Sequence, residues 1–120
     1  MTNQLQGEIL FGGWTGTDDT DWAYTPWMPV RADFATFGVQ VLTRNGVTLT
    51  WEVQTRTAEN PTPSASIITA VAMTSVTTAT ARNSGTRCQQ MFRYRFKTGS
   101  ASTTDYVIFR ALQPSWQVDR

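Results

Sequence analysis

The sequence predicts an all-β fold: a two-sheet antiparallel β-sandwich of about seven or eight strands, in a single domain that spans residues 1–120. Three observations support this prediction. Apolar and polar residues alternate with a period of two in several segments, as they do in half-buried strands. Turn-forming residues separate these segments, and no segment has the apolar spacing of an amphipathic helix. Both a jelly roll and an immunoglobulin-like strand order remain open, because periodicity does not encode which strands pair.

The clearest strand is "GVTLTWEVQTRT", residues 46–57, in which every second residue is apolar. Those apolar residues share one face: Val47, Leu49, Trp51 and Val53. The preceding segment "FATFGVQVLTR" also has strand character, and it ends at Asn45-Gly46. Asn-Gly is the strongest short signal for a β-hairpin, because both residues tolerate positive φ. The two segments are therefore predicted to form an antiparallel hairpin.

The later strands follow from the same alternation. "TAENPTPSAS" is predicted to be a loop. The long run "SIITAVAMTSVTTATAR" is predicted to divide near Thr74-Ser75 into two strands or to form one bent strand, because its β-branched residues disfavour a helix. "NSGTR" and "GSAST" are predicted to be turns. "TDYVIFRAL" is apolar on both faces, which is typical of a central strand. Trp116 is predicted to anchor the C-terminal segment.

The composition argues against several classes of partner. Charged residues make up 16% of the chain, below the usual ~25%, and the formal net charge is +1. A protein with so little net charge lacks the electrostatic attraction on which non-specific nucleic-acid binding depends. No apolar stretch is long enough to span a membrane, and "MTNQLQGEIL" does not resemble a secretory leader. We expect no membrane partner, and assembly in the cytoplasm of the cell that produces the chain.

The chain lacks the residues of most catalytic and cofactor sites. It has no His, and its one Cys, Cys88, can form neither an intrachain disulfide nor a thiolate metal cluster. The usual nucleophile systems need His, and no phosphate-binding glycine loop is present. We therefore predict a non-enzymatic protein with no catalytic residue and no cofactor, although a carboxylate pair remains formally open.

The segment "GGWTGTDDTDWAYTPWMP", residues 12–29, places aromatic residues beside carboxylates. Its rings belong to Trp14, Trp22, Tyr24 and Trp27, and its carboxylates to Asp18, Asp19 and Asp21. The first interpretation is a loop whose rings cover the sandwich or contact a partner. The second is a sugar-binding platform. The third is calcium binding by the three Asp residues, although their spacing does not match an EF-hand.

Basic residues occupy alternate positions of "QMFRYRFKT". Phe92, Tyr94 and Phe96 share one face, and Arg93, Arg95 and Lys97 share the other. The basic face is a candidate contact surface. It equally fits a solvated sheet face on which Glu52 and Asp105 are cross-strand partners.

The short Met-initiated chain has Thr-rich alternating strands, few charges, no His and the closing segment "VIFRALQPSW". In these features it resembles small β-sandwich structural proteins of tailed bacteriophages, of the decoration or accessory class. The resemblance implies a virion protein, assembled in the host cytoplasm, that forms a homo-oligomer, a dimer or trimer, and contacts other virion proteins. "NQLQGEILF" would then be the edge strand or arm that reaches a partner.

A second resemblance keeps another function open. "FRYRF" and "YVIFRAL" resemble, in their residue alternation, the late strands of discoidin-like and carbohydrate-binding sandwiches. The alternative function is therefore a carbohydrate-binding module with a glycan partner, which would use the aromatic residues between positions 14 and 27.

Overall fold

The computed structural model describes residues 10–15, 19–60, 62, 65–99 and 106–117. These residues form strands in two antiparallel sheets that pack against each other, and none of them is helical, which confirms the predicted all-β sandwich. The strands are β1 (Leu10–Thr15), β2 (Asp19–Tyr24), β3 (Met28–Pro29), β4 (Phe34–Asn45), β5 (Thr48–Arg56), β6 (Ala65–Met73), β7 (Thr78–Arg82), β8 (Met91–Gly99), β9 (Tyr106–Ala111) and β10 (Ser115–Gln117). Within these residues there is no helix of the length and hydropathy that a membrane span needs.

The strand order is that of a jelly roll. β4 pairs along one edge with β7 and along the other with β9 and then β10, since Val39 pairs with both Ala79 and Ala111. In the second sheet β8 pairs with β5 along one edge and with β2 and then β3 along the other. The eight longer strands therefore form sheets of order β1–β9–β4–β7 and β2–β8–β5–β6, which is the arrangement of two Greek keys in a jelly roll.

The turn at Asn45-Gly46 exists, but it does not close a hairpin. Gly46 has φ 77°, as the Asn-Gly signal predicts. However, β4 and β5 lie in different sheets, so the predicted hairpin between them is wrong. Each strand has one apolar face, and the two faces are buried by meeting across the core rather than by lying side by side. The Arg44 Nε donates a hydrogen bond to the Val47 carbonyl at 2.9 Å across this turn.

Other predicted boundaries are confirmed. The long Thr- and Ala-rich run divides where predicted, since β6 ends at Met73 and β7 begins at Thr78. The strand predicted to be central, β9, lies between β1 and β4, although Ile108 on its outer face is 44% exposed. The "NSGTR" turn contains Gly85 with φ 76°. Most of the "GSAST" turn lies outside the described residues.

Large aromatic side chains fill the space between the sheets. Trp51 and Tyr94 are buried, and the Phe96 and Phe109 ring centroids lie 4.7 Å apart across the sandwich. Trp116 packs edge-on against Phe92 with ring centroids 5.4 Å apart, so it anchors the C-terminal segment as predicted. Aromatic pairs at such distances stabilise a core beyond the area that they bury.

Two buried polar side chains join separate parts of the sandwich. The Tyr94 hydroxyl donates to the Leu112 carbonyl at 2.8 Å and accepts from the Gly38 N–H at 3.2 Å, so it connects β8 to the opposite sheet. Burial raises the pKa of Tyr94 well above its ordinary value. Asn83 is fully buried, and its Oδ1 accepts from the Ala35 N–H at 2.9 Å. Because a buried polar group without a partner is costly, the Tyr94 bonds help to fix the relative position of the sheets, and the Asn83 bond fixes the start of β4 against the segment that follows β7.

Cys88 is buried beside the core and does not form a disulfide. Burial, together with the nearby carboxylate of Asp33, raises the pKa of its thiol to about 11. The reactive form of cysteine is the thiolate. At neutral pH Cys88 is therefore an apolar packing residue.

Replacement of Tyr94 by Phe tests the connection between the sheets. Tyr94→Phe keeps the ring and removes the hydroxyl, which leaves the Gly38 N–H and the Leu112 carbonyl without that partner. We expect the free energy of unfolding to fall by about 1–3 kcal/mol, the usual range for unsatisfied buried groups. Urea unfolding followed by tryptophan fluorescence measures the change. Tyr24→Phe is the control, because Tyr24 is 49% exposed, and it should change stability by less than ~0.5 kcal/mol. Equal losses in both variants would contradict the assignment.

Candidate functional site

The aromatic segment at residues 12–29 is mainly two strands, not the predicted loop. β1 pairs with β9, and β2 pairs with β8, so this segment completes one edge of each sheet. Strand pairing satisfies backbone groups that an open loop would leave to solvent, which favours the extended form. Trp14 lies in β1, but its side chain is outside what the structure describes. The same is true of Asp18 and of the side chains of Asp19 and Asp21, so the calcium interpretation falls outside the described part of the chain.

Three rings of this segment lie on the outer surface of the β2–β8–β5–β6 sheet, against cationic side chains. The Arg95 guanidinium lies 4.1 Å from the Trp22 ring centroid, and the Lys97 Nζ lies 4.7 Å from the same centroid. The Arg93 guanidinium lies 3.8 Å from the Tyr24 centroid and 4.3 Å from that of Trp27. At these distances a cation is attracted by the ring quadrupole.

The alternation in β8 explains why the rings and the cations meet. Phe92, Tyr94 and Phe96 point into the core, so Arg93 and Arg95 point outward. Because β2 pairs directly with β8, its outward side chains lie beside these cations. The two groups that the sequence predicted as separate contact candidates thus form one surface. We call it the arginine–aromatic face, and it consists of Trp22, Tyr24, Trp27, Arg56, Arg93, Arg95 and Lys97.

Glu52 is the carboxylate that holds this face in place. Its Oε1 accepts from the Arg95 Nε at 3.0 Å, a second Arg95 nitrogen bonds the same oxygen, and Oε2 accepts from the Ala70 N–H at 3.1 Å. The Ser66 hydroxyl donates to Oε1 at 3.2 Å. The side chains of Arg95 and Glu52 are only 20% and 11% exposed. The prediction that Glu52 is a cross-strand partner of the basic face is confirmed, whereas Asp105 lies outside the described residues.

Arg56 also belongs to this surface, although the sequence pattern did not predict it there. The Arg56 guanidinium lies 4.8 Å from the Trp27 centroid, and its Nη1 donates to the Thr57 carbonyl at 3.0 Å. Beside it, the Gln54 Oε1 accepts from the Arg93 Nε at 2.9 Å. The signal was present in the sequence, since Glu52, Gln54 and Arg56 alternate with the buried residues of β5. What the sequence did not show was that β5 and β8 are neighbours.

Among the side chains that the structure describes, the face has a net positive charge. Its four cationic side chains meet one carboxylate, Glu52, among the described side chains that contact them. Partial burial, assisted by the positive charges of Arg95 and Arg56, lowers the pKa of Arg93 from its ordinary value, against an opposing effect of Tyr24. Such a surface can pair with anionic groups of a partner. The described residues contain no group of three or more side chains suited to hold a metal ion.

Comparisons with protein-family models, with curated proteins and with solved structures found no match to this chain. The function is therefore inferred from the geometry of the chain itself.

Glu52→Gln tests the support of the arginine–aromatic face. The amide presents an N–H₂ group toward either Arg95 or the Ala70 N–H, so one donor faces another donor. We expect the free energy of unfolding to fall by about 2 kcal/mol, because the largely buried Arg95 loses its carboxylate partner. Thermal and urea unfolding measure the loss. Asp33→Asn is the matched control, since the Asp33–Arg87 pair is 3.0 Å long but exposed, and it should cost less than ~0.5 kcal/mol. If the two variants lose the same stability, the proposed support by Glu52 is wrong.

Proposed function

We propose that this chain is a non-enzymatic structural protein that acts through protein–protein contacts, as the decoration and accessory proteins of tailed-phage particles do. The observation that carries the proposal is the arginine–aromatic face. Trp, Tyr and Arg are the residue types that concentrate binding energy at protein interfaces. The jelly-roll order supports the proposal, because this architecture is used by viral capsid proteins, and lectins share it.

The partner that best fits the arginine–aromatic face is an acidic protein surface. The Nε atoms of Arg93 and Arg95 are bonded to Gln54 and Glu52, which fixes the direction of both guanidinium groups. Carboxylates of a partner would complete their hydrogen bonding and offset the positive charge. Charge complementarity of this kind also speeds association and selects the partner.

The outer face of the opposite sheet is a better candidate for self-association than the arginine–aromatic face. Two copies that met through the arginine–aromatic face would bring like charges together, which is unfavourable. The outer face of the β1–β9–β4–β7 sheet exposes Leu42 and Ile108, which are 40% and 44% exposed. Nearby, Arg110 is bonded to Gln40 at 2.7 Å. We propose that a second copy of the chain covers this face.

The carbohydrate-binding alternative has less support. A sugar stacks on the open face of an aromatic ring, but Trp22 and Trp27 each have two cationic groups within 4.8 Å of the ring centroid. Glu52 accepts hydrogen bonds from Arg95, Ser66 and Ala70, so few acceptor positions remain for sugar hydroxyls. Tyr24, which is half exposed, is the ring most open to a glycan.

The mass of the native species tests self-association. Light scattering coupled to size-exclusion chromatography should give the mass of a dimer or trimer for the wild-type chain. Ile108→Lys places a charge in the proposed contact and should shift the species to monomer without loss of fold. Lys97→Glu, which changes a charge on the outer face of the opposite sheet, is the control and should keep the oligomer. A wild-type chain that remains monomeric at high concentration would refute self-association.

Incorporation into particles tests the arginine–aromatic face. Mass spectrometry should detect the wild-type chain as a stoichiometric component of particles purified from cells that produce it. Arg93→Glu combined with Lys97→Glu should abolish incorporation, because both charges then repel an acidic partner. Arg31→Glu serves as the control, since Arg31 is exposed in the connection between β3 and β4 rather than on either outer sheet face.

Each unfavourable outcome of the incorporation experiment has a distinct meaning. If the wild-type chain is absent from the particles, the virion role is overturned. If the double variant is retained, the face is not the contact. Binding on a glycan array that requires Tyr24, without incorporation, would instead establish the carbohydrate alternative.

A further inference from the structure

A cavity of about 230 Å³ lies where β3, β8 and the connection between β9 and β10 approach one another. It is separate from the arginine–aromatic face, because it is bounded by core side chains of β8 rather than by the outward ones. Its walls include the rings of Phe92, Tyr94 and Trp116. Phe92 and Trp116 contact each other edge-on, so these two rings form a continuous apolar part of the wall.

The wall of the cavity offers few unsatisfied polar groups. The Tyr94 hydroxyl lies in the wall, but it already donates to the Leu112 carbonyl and accepts from the Gly38 N–H. Met28 and Pro29 add further apolar surface on the β3 side. An apolar pocket with a small number of directed polar groups is the usual form of a small-molecule site.

Arg31 is the one charged residue among those that line the cavity. Its side chain is exposed, and within the described residues it forms no hydrogen bond or ion pair. This distinguishes it from Arg56, Arg93 and Arg95, whose guanidinium groups are bonded. A guanidinium that has no bonding partner in the described part of the chain, beside an apolar pocket, favours a ligand that combines an apolar body with an anionic group, since arginine binds carboxylates strongly.

We propose that this cavity binds a small aromatic carboxylate. The ring would lie among Phe92, Tyr94 and Trp116, and the carboxylate would pair with Arg31. The volume is consistent with this, because a cavity of ~150 Å³ is known to hold benzene and the additional space accommodates a short linker. The site is independent of the proposed assembly function, and either can fail without the other.

An NMR titration of the wild-type chain tests the site. The probe is 3-phenylpropanoate, and its neutral counterpart is 3-phenylpropan-1-ol, which has the same ring and linker. We expect shifts at Phe92 and at the Trp116 indole, and about tenfold tighter binding of the acid than of the alcohol, because the acid adds a charge-assisted hydrogen bond. No shifts at millimolar probe, or shifts that map elsewhere, would overturn the proposal.

Two variants separate the roles of charge and space. Arg31→Gln should make the acid and the alcohol bind equally while the alcohol affinity stays unchanged, and Arg82→Gln should keep the tenfold preference. Ala111→Leu projects a larger side chain from the cavity wall and should abolish binding of both probes. The amide spectrum and melting temperature of Ala111→Leu report whether that variant folds. If it does not fold, the Arg31→Gln measurement alone tests the proposal. An acid preference that persists in Arg31→Gln would refute the assignment of the anionic group.

Discussion

The pairing of β5 with β8 is the constraint on which both the core and the arginine–aromatic face depend. The two strands pair without a register shift from Thr48↔Gly99 to Arg56↔Met91. This register places Val53 beside Tyr94 inside the sandwich, and Glu52 beside Arg95 outside it. Because side chains alternate along a strand, a slip of one residue would bury the cations and expose the rings. The same pairing therefore determines which side chains are buried in the core and which lie on the arginine–aromatic face.

Glu52 connects this central pair to the edge strand β6. Its carboxylate accepts hydrogen bonds from Arg95 on β8 and from Ser66 and Ala70 on β6. Ala70 has φ 50°, a left-handed conformation that costs a non-glycine residue about 1–2 kcal/mol. The pairing of β5 with β6 is irregular around this point, which lets the Ala70 N–H point at the carboxylate. The charged hydrogen bond offsets the strain, and one acidic side chain thereby orients three strands and the cation above them.

Local sequence patterns predicted the strands well and the contacts between them poorly. The alternation in β5 and β8 predicted which side chains face the core, because it depends only on the geometry of a single strand. The Asn45-Gly46 turn was also predicted, yet the pairing partner of β4 was not. An apolar strand face can be buried in the core whether the next strand pairs with it in the same sheet or packs against it from the opposite sheet. Trp22 and Arg95 are far apart in the sequence, and only the jelly-roll order brings β2 beside β8. The cavity was unpredictable for the same reason, as it is a gap between elements rather than a property of any one of them.

The two outer faces of the sandwich differ in a way that suits two kinds of neighbour. On the β2–β8–β5–β6 sheet, long cationic side chains are already held against rings, so much of their conformational entropy is lost during folding rather than on binding. On the opposite sheet, a Cβ at Gly38 would lie 3.2 Å from the Leu112 Cδ1, so the absence of a side chain lets Leu112 lie close to the strand. The outer face of this sheet exposes the apolar side chains of Leu42 and Ile108, which a second copy would bury around a two-fold axis in the proposed self-association. A preorganised cationic face instead gains most from a partner that differs from it.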